Sequence, residues 1–230
     1  MNRITLKFLV FDLDNTLYPR GSGVMEEIGR RIQLWLCRER DLTWEQATIL
    51  RKAYLRQYGT TMGGLMQEGD ADMDHYLDFV HDIPIETYLG PDEQLNRMLE
   101  RIPLRKVVYT NATSAHGRRV LSALGIRSCF ERIIGIENVG MRNKFIPEAY
   151  ERMLALLDAS GQECVMVEDS PRNLPPAKAA GMITVLVAQE RRDDLVVCDD
   201  AVDFVVENVL GVEHVIDRLL SDAGCGACGG

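Results

Sequence analysis

Two aspartates, Asp12 and Asp14, stand two residues apart at the end of the apolar run KFLVF, just ahead of a polar break. Other polar groups follow the same plan. Thr110 and Asn111 end the run KVVY, and Lys144 stands just ahead of a helical pattern at 147–159. Glu168 and Asp169 end CVMV, with Ser170 and Asn173 close behind. Singly, each group has an ordinary structural use. Asp and Asn cap helices and start turns, and a lone Lys is usually solvated. Together they bring carboxylates, an ammonium and a hydroxyl to one rim, because ligands of open parallel sheets bind beyond the carboxyl ends of the strands. Carboxylates that close repel one another and call for a cation. Hard oxygen ligands with room for water suit Mg²⁺. The set fits phosphoryl transfer, in which a metal and Lys144 neutralise the phosphate while one carboxylate attacks it.

The elements that must hold these groups are legible in the hydropathy pattern. Apolar runs of strand length recur at KFLVF (7–11), KVVYT (106–110), CVMVE (164–168), MITVLVA (182–188) and DFVVE (203–207). Helical patterns at 114–124, 147–159 and 173–180 separate them, and a last one covers about 211–220. Such alternation predicts an α/β fold, a Rossmann-like parallel sheet with helices on both faces. Residues 20–100 break it, with no convincing strand. VMEEIGRRIQLWLCRER places Val24, Ile28, Ile32 and Trp35 or Leu36 at a helical period. LTWEQATILRKAYLRQYG continues in that style with Thr43 as N-cap, and MDHYLDFV is a further helical stretch. A strand-to-helix connection is ordinarily a few residues long, so this is an inserted helical unit. The expected division is 1–19 and 90–222 for the catalytic core, 20–89 for a helical cap and 223–230 for a flexible Gly/Cys tail.

Bulk properties limit the partners. The chain has 230 residues, 46% of them hydrophobic, enough for a sizeable core. A formal net charge of −9 argues against a general nucleic-acid binder, while leaving room for a small phosphorylated ligand met by a few local donors. No run approaches the roughly 20 apolar residues of a membrane span, and the start lacks the pattern of a signal peptide. The expected location is cytoplasmic. Of the six cysteines, Cys37, Cys129, Cys164 and Cys198 read as small hydrophobes in core-like segments. Cys225 and Cys228 form a single C-x-x-C pair, half of a tetrahedral zinc site. The sequence sets no oligomeric state.

DLDNT, then YTN, then a Lys before a PEAY helix, then EDS with Asn173, resemble in order and spacing the four motifs of the haloacid dehalogenase superfamily. The resemblance covers the whole core. It implies that Asp12 is the nucleophile, forming an aspartyl-phosphate, and that Asp14 is the general acid and base. An alkoxide leaves poorly without a proton, whereas a halide leaves without one, so Asp14 favours a phosphatase over a dehalogenase. The resemblance further implies Mg²⁺ held by Asp12, the backbone carbonyl of Asp14 and Asp169, with Glu168 and Asn173 acting directly or through water. Thr110 and Asn111 would bond the phosphoryl oxygens, Lys144 would offset charge, and the backbone of Asn15 would hold a phosphate oxygen. Thr16 reads as a turn residue. In the superfamily the lysine is commonly followed at once by Pro; here Phe145 follows, and a proline comes at Pro147.

Within the superfamily, YGTTMGGL, DFVHD and the stretch from Leu89 to Ile126 look like the pyrimidine 5'-nucleotidase branch, whose members dephosphorylate nucleoside monophosphates such as UMP and CMP. That implies Tyr58, Thr60, Thr61 and Gly64 near a nucleoside. On pattern alone, Tyr76 and Phe79 read as core of the helical unit, His75 and His81 as surface groups, and His116 as an early residue of a core helix. Phosphatases of sugar phosphates or pyridoxal phosphate, a phosphomutase, and a binding protein with a relic site are the alternatives.

Overall fold

Short runs of β-branched and aromatic residues build the centre of the molecule. The computed structural model describes residues 5–69, 71–189 and 199–225. Among them, β1 (Phe8–Phe11), β2 (Arg105–Tyr109), β3 (Arg132–Ile134), β4 (Cys164–Glu168), β5 (Ile183–Val187) and β6 (Phe204–Val206) form one sheet in the order β3-β2-β1-β4-β5-β6. Every pairing is parallel, with Val10 opposite Val107 on one side and Met166 on the other. The order reverses beside β1, and in open α/β sheets ligands bind beyond the carboxyl ends of the strands at such a point. β3 is an addition to the expected strands: its three residues include the exposed Arg132 and carry little periodic signal.

Successive side chains of a strand point to opposite faces, and two apolar clusters result. Leu9 and Phe11 face one cluster with Val108, Val165 and Val167. It is closed by α5 (Glu93–Arg101), α6 (Ser114–Ala123) and α9 (Val212–Cys225). Phe8 and Val10 face the other with Tyr109 and Met166, beneath α7 (Pro147–Leu157) and α8 (Leu174–Ala179). Both faces are therefore covered, which is why the strands read as continuous apolar runs. α9 continues to Cys225, beyond the boundary expected at 222; the remainder of the expected tail and Cys198 lie outside the described residues.

Between β1 and β2 the chain forms α1 (Val24–Glu39), α2 (Trp44–Tyr58), α3 (Thr61–Glu68) and α4 (Met73–His81). Their ends are marked locally. Thr43 and Gln46 form a capping box, Thr60 caps α3 by accepting from Gly63 N, and Asp72 caps α4 by accepting from His75 N. Gly59 ends α2 at φ +78°, a conformation costly for residues with a Cβ. These helices share a third cluster containing Trp35, Leu36, Tyr54, Leu65, Tyr76 and Val80. Ile136 of the sheet unit joins it, and Trp35 meets Tyr76 edge to face at 5.1 Å. No helix among the described residues is long and apolar enough to cross a membrane.

Candidate active site

The loop leaving β1 assembles the first part of the site. Asp12 N donates to Val167 O of β4 at 2.8 Å, which extends the ladder one residue past the strand. The chain then turns, with Asn15 in the left-handed region at φ +64° and Leu17 N donating to Leu13 O. That turn carries two side chains back over the aspartates. Thr16 Oγ1 donates to Asp12 Oδ2 at 3.0 Å, and the Tyr18 hydroxyl donates to Asp14 Oδ1 at 2.6 Å. Thr16 is thus more than a turn residue. The carbonyl of Asn15 accepts from Gln189 Nε2 at 2.7 Å, which fixes the loop to the end of β5.

Lys144 is completely buried and bridges two carboxylates, with Nζ on Asp12 Oδ1 and 2.9 Å from Glu168 Oε2. Burial pushes its pKa down, but Asp12 and Glu168 outweigh that and hold it above the usual lysine value. Burial and the neighbouring Glu168 push Asp12 up to about 7. Burial, with Asp12 alongside, pushes Asp169 up to about 6, even though Arg20 donates to Asp169 Oδ2. Asp14 goes the other way. Burial would raise it, yet the His116 ring and the Tyr18 hydroxyl hold it below the usual carboxylate value. The two aspartates therefore stand in opposed environments two residues apart, the arrangement that separates the roles of paired carboxylates.

The remaining expected residues are distributed less uniformly. Thr110 is buried at the end of β2, its hydroxyl accepting from Ala112 N at 3.0 Å. Asn111 Oδ1 accepts from Lys144 N at 2.8 Å, so it also orients the lysine. Asn173 begins the turn into α8 and accepts through its carbonyl from Tyr150. Thr60 and Thr61 line a cavity of about 180 Å³ together with Asp14 and Asn111. Tyr58 and Gly64, expected there too, are not among its lining residues. Tyr58 O accepts from Asn143 Nδ2, the Tyr58 ring tilts against Tyr54 at 6.2 Å between centroids, and a Cβ at Gly64 would stand 2.2 Å from the Tyr54 ring.

One histidine departs from the pattern-based reading. His75 is exposed as expected, but His81 lines the cavity and stacks on His116 at 4.6 Å between ring centroids. His116 is buried, with Nε2 3.2 Å from Asp14 Oδ1. Thr113 caps α6 by accepting from His116 N, and this places the ring one turn into the helix beneath the loop. The spacing of Thr16 and Tyr18, each four residues after an aspartate, is the one signal in the sequence for the contacts that pattern reading missed.

Asp12, Glu168 and Asp169 each place an oxygen within 4.8 Å of the others, and all three are buried. Lys144 and Arg20 supply the positive charge on these groups, yet Asp12 and Asp169 retain raised pKa values through burial and mutual repulsion. A cluster of hard oxygens still short of positive charge fits a divalent cation such as Mg²⁺.

Residues 6–181 match the model of the haloacid dehalogenase-like hydrolase family, and the chain belongs to that family. Among curated relatives, Phosphate metabolism protein 8 of Saccharomyces cerevisiae is 28% identical over 55% of this chain, and the chain spans only 42% of that protein. Glyceraldehyde 3-phosphate phosphatase of Methanocaldococcus jannaschii is 24% identical over 94% of this chain and its whole own length. Among solved structures, the magnesium-bound HAD-hydrolase YfnB of Bacillus subtilis superposes with a TM-score of 0.62 at 14% identity, over 93% of this chain and 99% of that one. A HAD phosphatase of Thermococcus onnurineus superposes with a TM-score of 0.63 at 17% identity, over 92% and 98%.

Proposed function

We propose that the protein is a Mg²⁺-dependent phosphatase of small phosphate monoesters, with nucleoside 5'-monophosphates, and pyrimidine ones in particular, as its substrates. The observation that carries the reading is the second carboxylate. Asp14 stands two residues from Asp12, lines the cavity and is fixed by Tyr18 and His116. Dehalogenation has no use for such a group, whereas phosphoryl transfer from an alcohol does.

In the proposed mechanism an Asp12 carboxylate oxygen attacks phosphorus and the bond from phosphorus to the ester oxygen breaks. Asp14, protonated in the substrate complex, gives its proton to the departing alkoxide. Asp14 then takes a proton from water, the resulting hydroxide attacks the phosphorus of the aspartyl-phosphate, and phosphate leaves with Asp12 restored. Lys144 holds Asp12 and faces the phosphoryl charge, while Thr110, Asn111 and the backbone of Asn15 are assigned to the phosphoryl oxygens. Mg²⁺, held by Asp12, the Asp14 carbonyl and Asp169, with Glu168 and Asn173 in support, would offset charge on the phosphoryl group when bound.

Residues 20–89 are assigned as the cap and 1–19 with 90–222 as the catalytic core. In favour of this division, helices α1–α4 supply most of the cavity wall opposite Asp14 and Asn111. That wall is apolar at Met25, Ile28, Ile32 and Val80. Glyceraldehyde 3-phosphate, the substrate named for the archaeal relatives, is small and polar and would leave it uncovered; a nucleoside covers it. Phosphate release from UMP and CMP against ribose 5-phosphate and glyceraldehyde 3-phosphate tests the assignment, with preference for the nucleotides expected.

A further inference from the structure

The wall of this cavity contains one charge that the phosphatase mechanism does not use. Arg51, in the middle of α2, points its guanidinium into the space beside α1 and lines the cavity with Asp14, Thr60 and Asn111. The space exists because α1 carries glycine opposite. A Cβ at Gly29 would stand 2.9 Å from Arg51 Nη2 and 3.1 Å from Nη1. Arg51 forms no hydrogen bond or ion pair with any described residue, and its Nε is sealed from solvent without a partner. Other arginines around the cap are engaged: Arg31 on Phe79 O and Asp82, Arg119 on the carbonyls of His81 and Ile83, Arg172 on those of Leu55 and Arg56.

A buried donor without an acceptor is costly, and guanidinium presents a fixed fork of N–H groups. Asp14 is the single carboxylate lining the cavity among the described residues, and it is already committed to Tyr18 and His116. Most of the remaining lining is apolar, including Met25, Ile28, Ile32, Leu55 and Val80, with the ring of Tyr76 among it. A mostly apolar lining around one fork of donors suits a flat group that carries an oxygen acceptor on its rim. We propose that Arg51 is the specificity-determining residue of the cavity, and that it donates to a ring carbonyl of the substrate's organic part, of the kind a pyrimidine base presents. This rests on the phosphatase reading for the direction in which the substrate lies, with its phosphate at Asp12 and its leaving group under α2.

A binding measurement separates the two readings, because the leaving group alone carries the carbonyl. Thermal unfolding of the full chain is followed with uridine, with ribose and without ligand, for wild type, Arg51→Met and Arg51→Lys. Turnover of p-nitrophenyl phosphate by the wild type, run in parallel, reports on the phosphatase reading alone. The expected result is that millimolar uridine raises the wild-type Tm by a few degrees and ribose does not, that the shift vanishes in Arg51→Met, and that Arg51→Lys keeps part of it. If Arg51→Met fails to fold, the comparison of uridine with ribose in the wild type, and the lysine variant, still decide. Equal shifts in wild type and Arg51→Met, or no uridine shift in a wild type that hydrolyses p-nitrophenyl phosphate, would overturn the role of Arg51 and leave the phosphatase standing. A uridine shift that depends on Arg51, in a protein that hydrolyses no ester, would support Arg51 and sink the phosphatase.

Discussion

His116 Nε2 lies 3.2 Å from Asp14 Oδ1, on the same oxygen that receives the Tyr18 hydroxyl at 2.6 Å. Two donors from different elements thus fix the carboxylate assigned to proton transfer. Loss of His116 should therefore act on the proton and not on binding. His116→Ala is expected to lower kcat for alkyl phosphates about tenfold, a part of the roughly 10²–10⁴-fold that general acid–base help supplies, with KM little changed. The loss should shrink for p-nitrophenyl phosphate, whose leaving group needs no proton, and His116→Gln should restore part of the rate. Equal losses on both substrates would show that the imidazole is merely structural.

Acid should unfold the protein partly through His81. Burial, aided by the His116 ring, lowers its pKa from 6.5 to about 3; Asp14 opposes that shift and Arg119 adds to it. Between those two values the unfolded chain binds a proton at this site and the folded chain does not. Stability from this group is therefore complete above about 6.5 and is lost as pH falls towards 3. From pH 7.5 to 5 the wild type is expected to lose about 1–2 kcal/mol more than His81→Gln. Urea midpoints at the two pH values measure it; parallel losses in both proteins would refute it.

Gly64 sits where α3 crosses α2, against the ring of Tyr54. A methyl group there has no room, and overpacking of this kind costs about 1–3 kcal/mol. Gly64→Ala should lower Tm by roughly 2–4 °C for each kcal/mol lost. An unchanged Tm would mean that the two helices separate without cost.

How far could the sequence be read? Five of the strands lie within one or two residues of their apolar runs, because a strand covered on both faces has no polar alternation to confuse it. β3 escaped because three residues with a leading arginine carry no period. The polar groups at strand ends were legible for the same topological reason. What stayed hidden depends on the packing of distant elements: Arg20 reaching Asp169, Tyr18 and His116 converging on Asp14, and Arg51 entering the gap at Gly29.

The acidic cluster carries a separable prediction. Mg²⁺ is expected to raise the Tm of the wild type and not that of Asp169→Asn, since removing one of the three clustered carboxylates leaves too few hard ligands. Differential scanning fluorimetry with Mg²⁺ and with EDTA checks it, and an equal Mg²⁺ shift in the variant would place the ion elsewhere.

The most direct measurement is phosphate release from UMP, CMP, AMP, GMP, ribose 5-phosphate and pyridoxal phosphate by the wild type and Asp12→Asn, each with Mg²⁺ and with EDTA. The mechanism predicts Mg²⁺-dependent release by the wild type that favours UMP and CMP, and none by Asp12→Asn even though that variant keeps its fold. Turnover by Asp12→Asn at the wild-type rate would contradict the nucleophile, and with it the whole reaction.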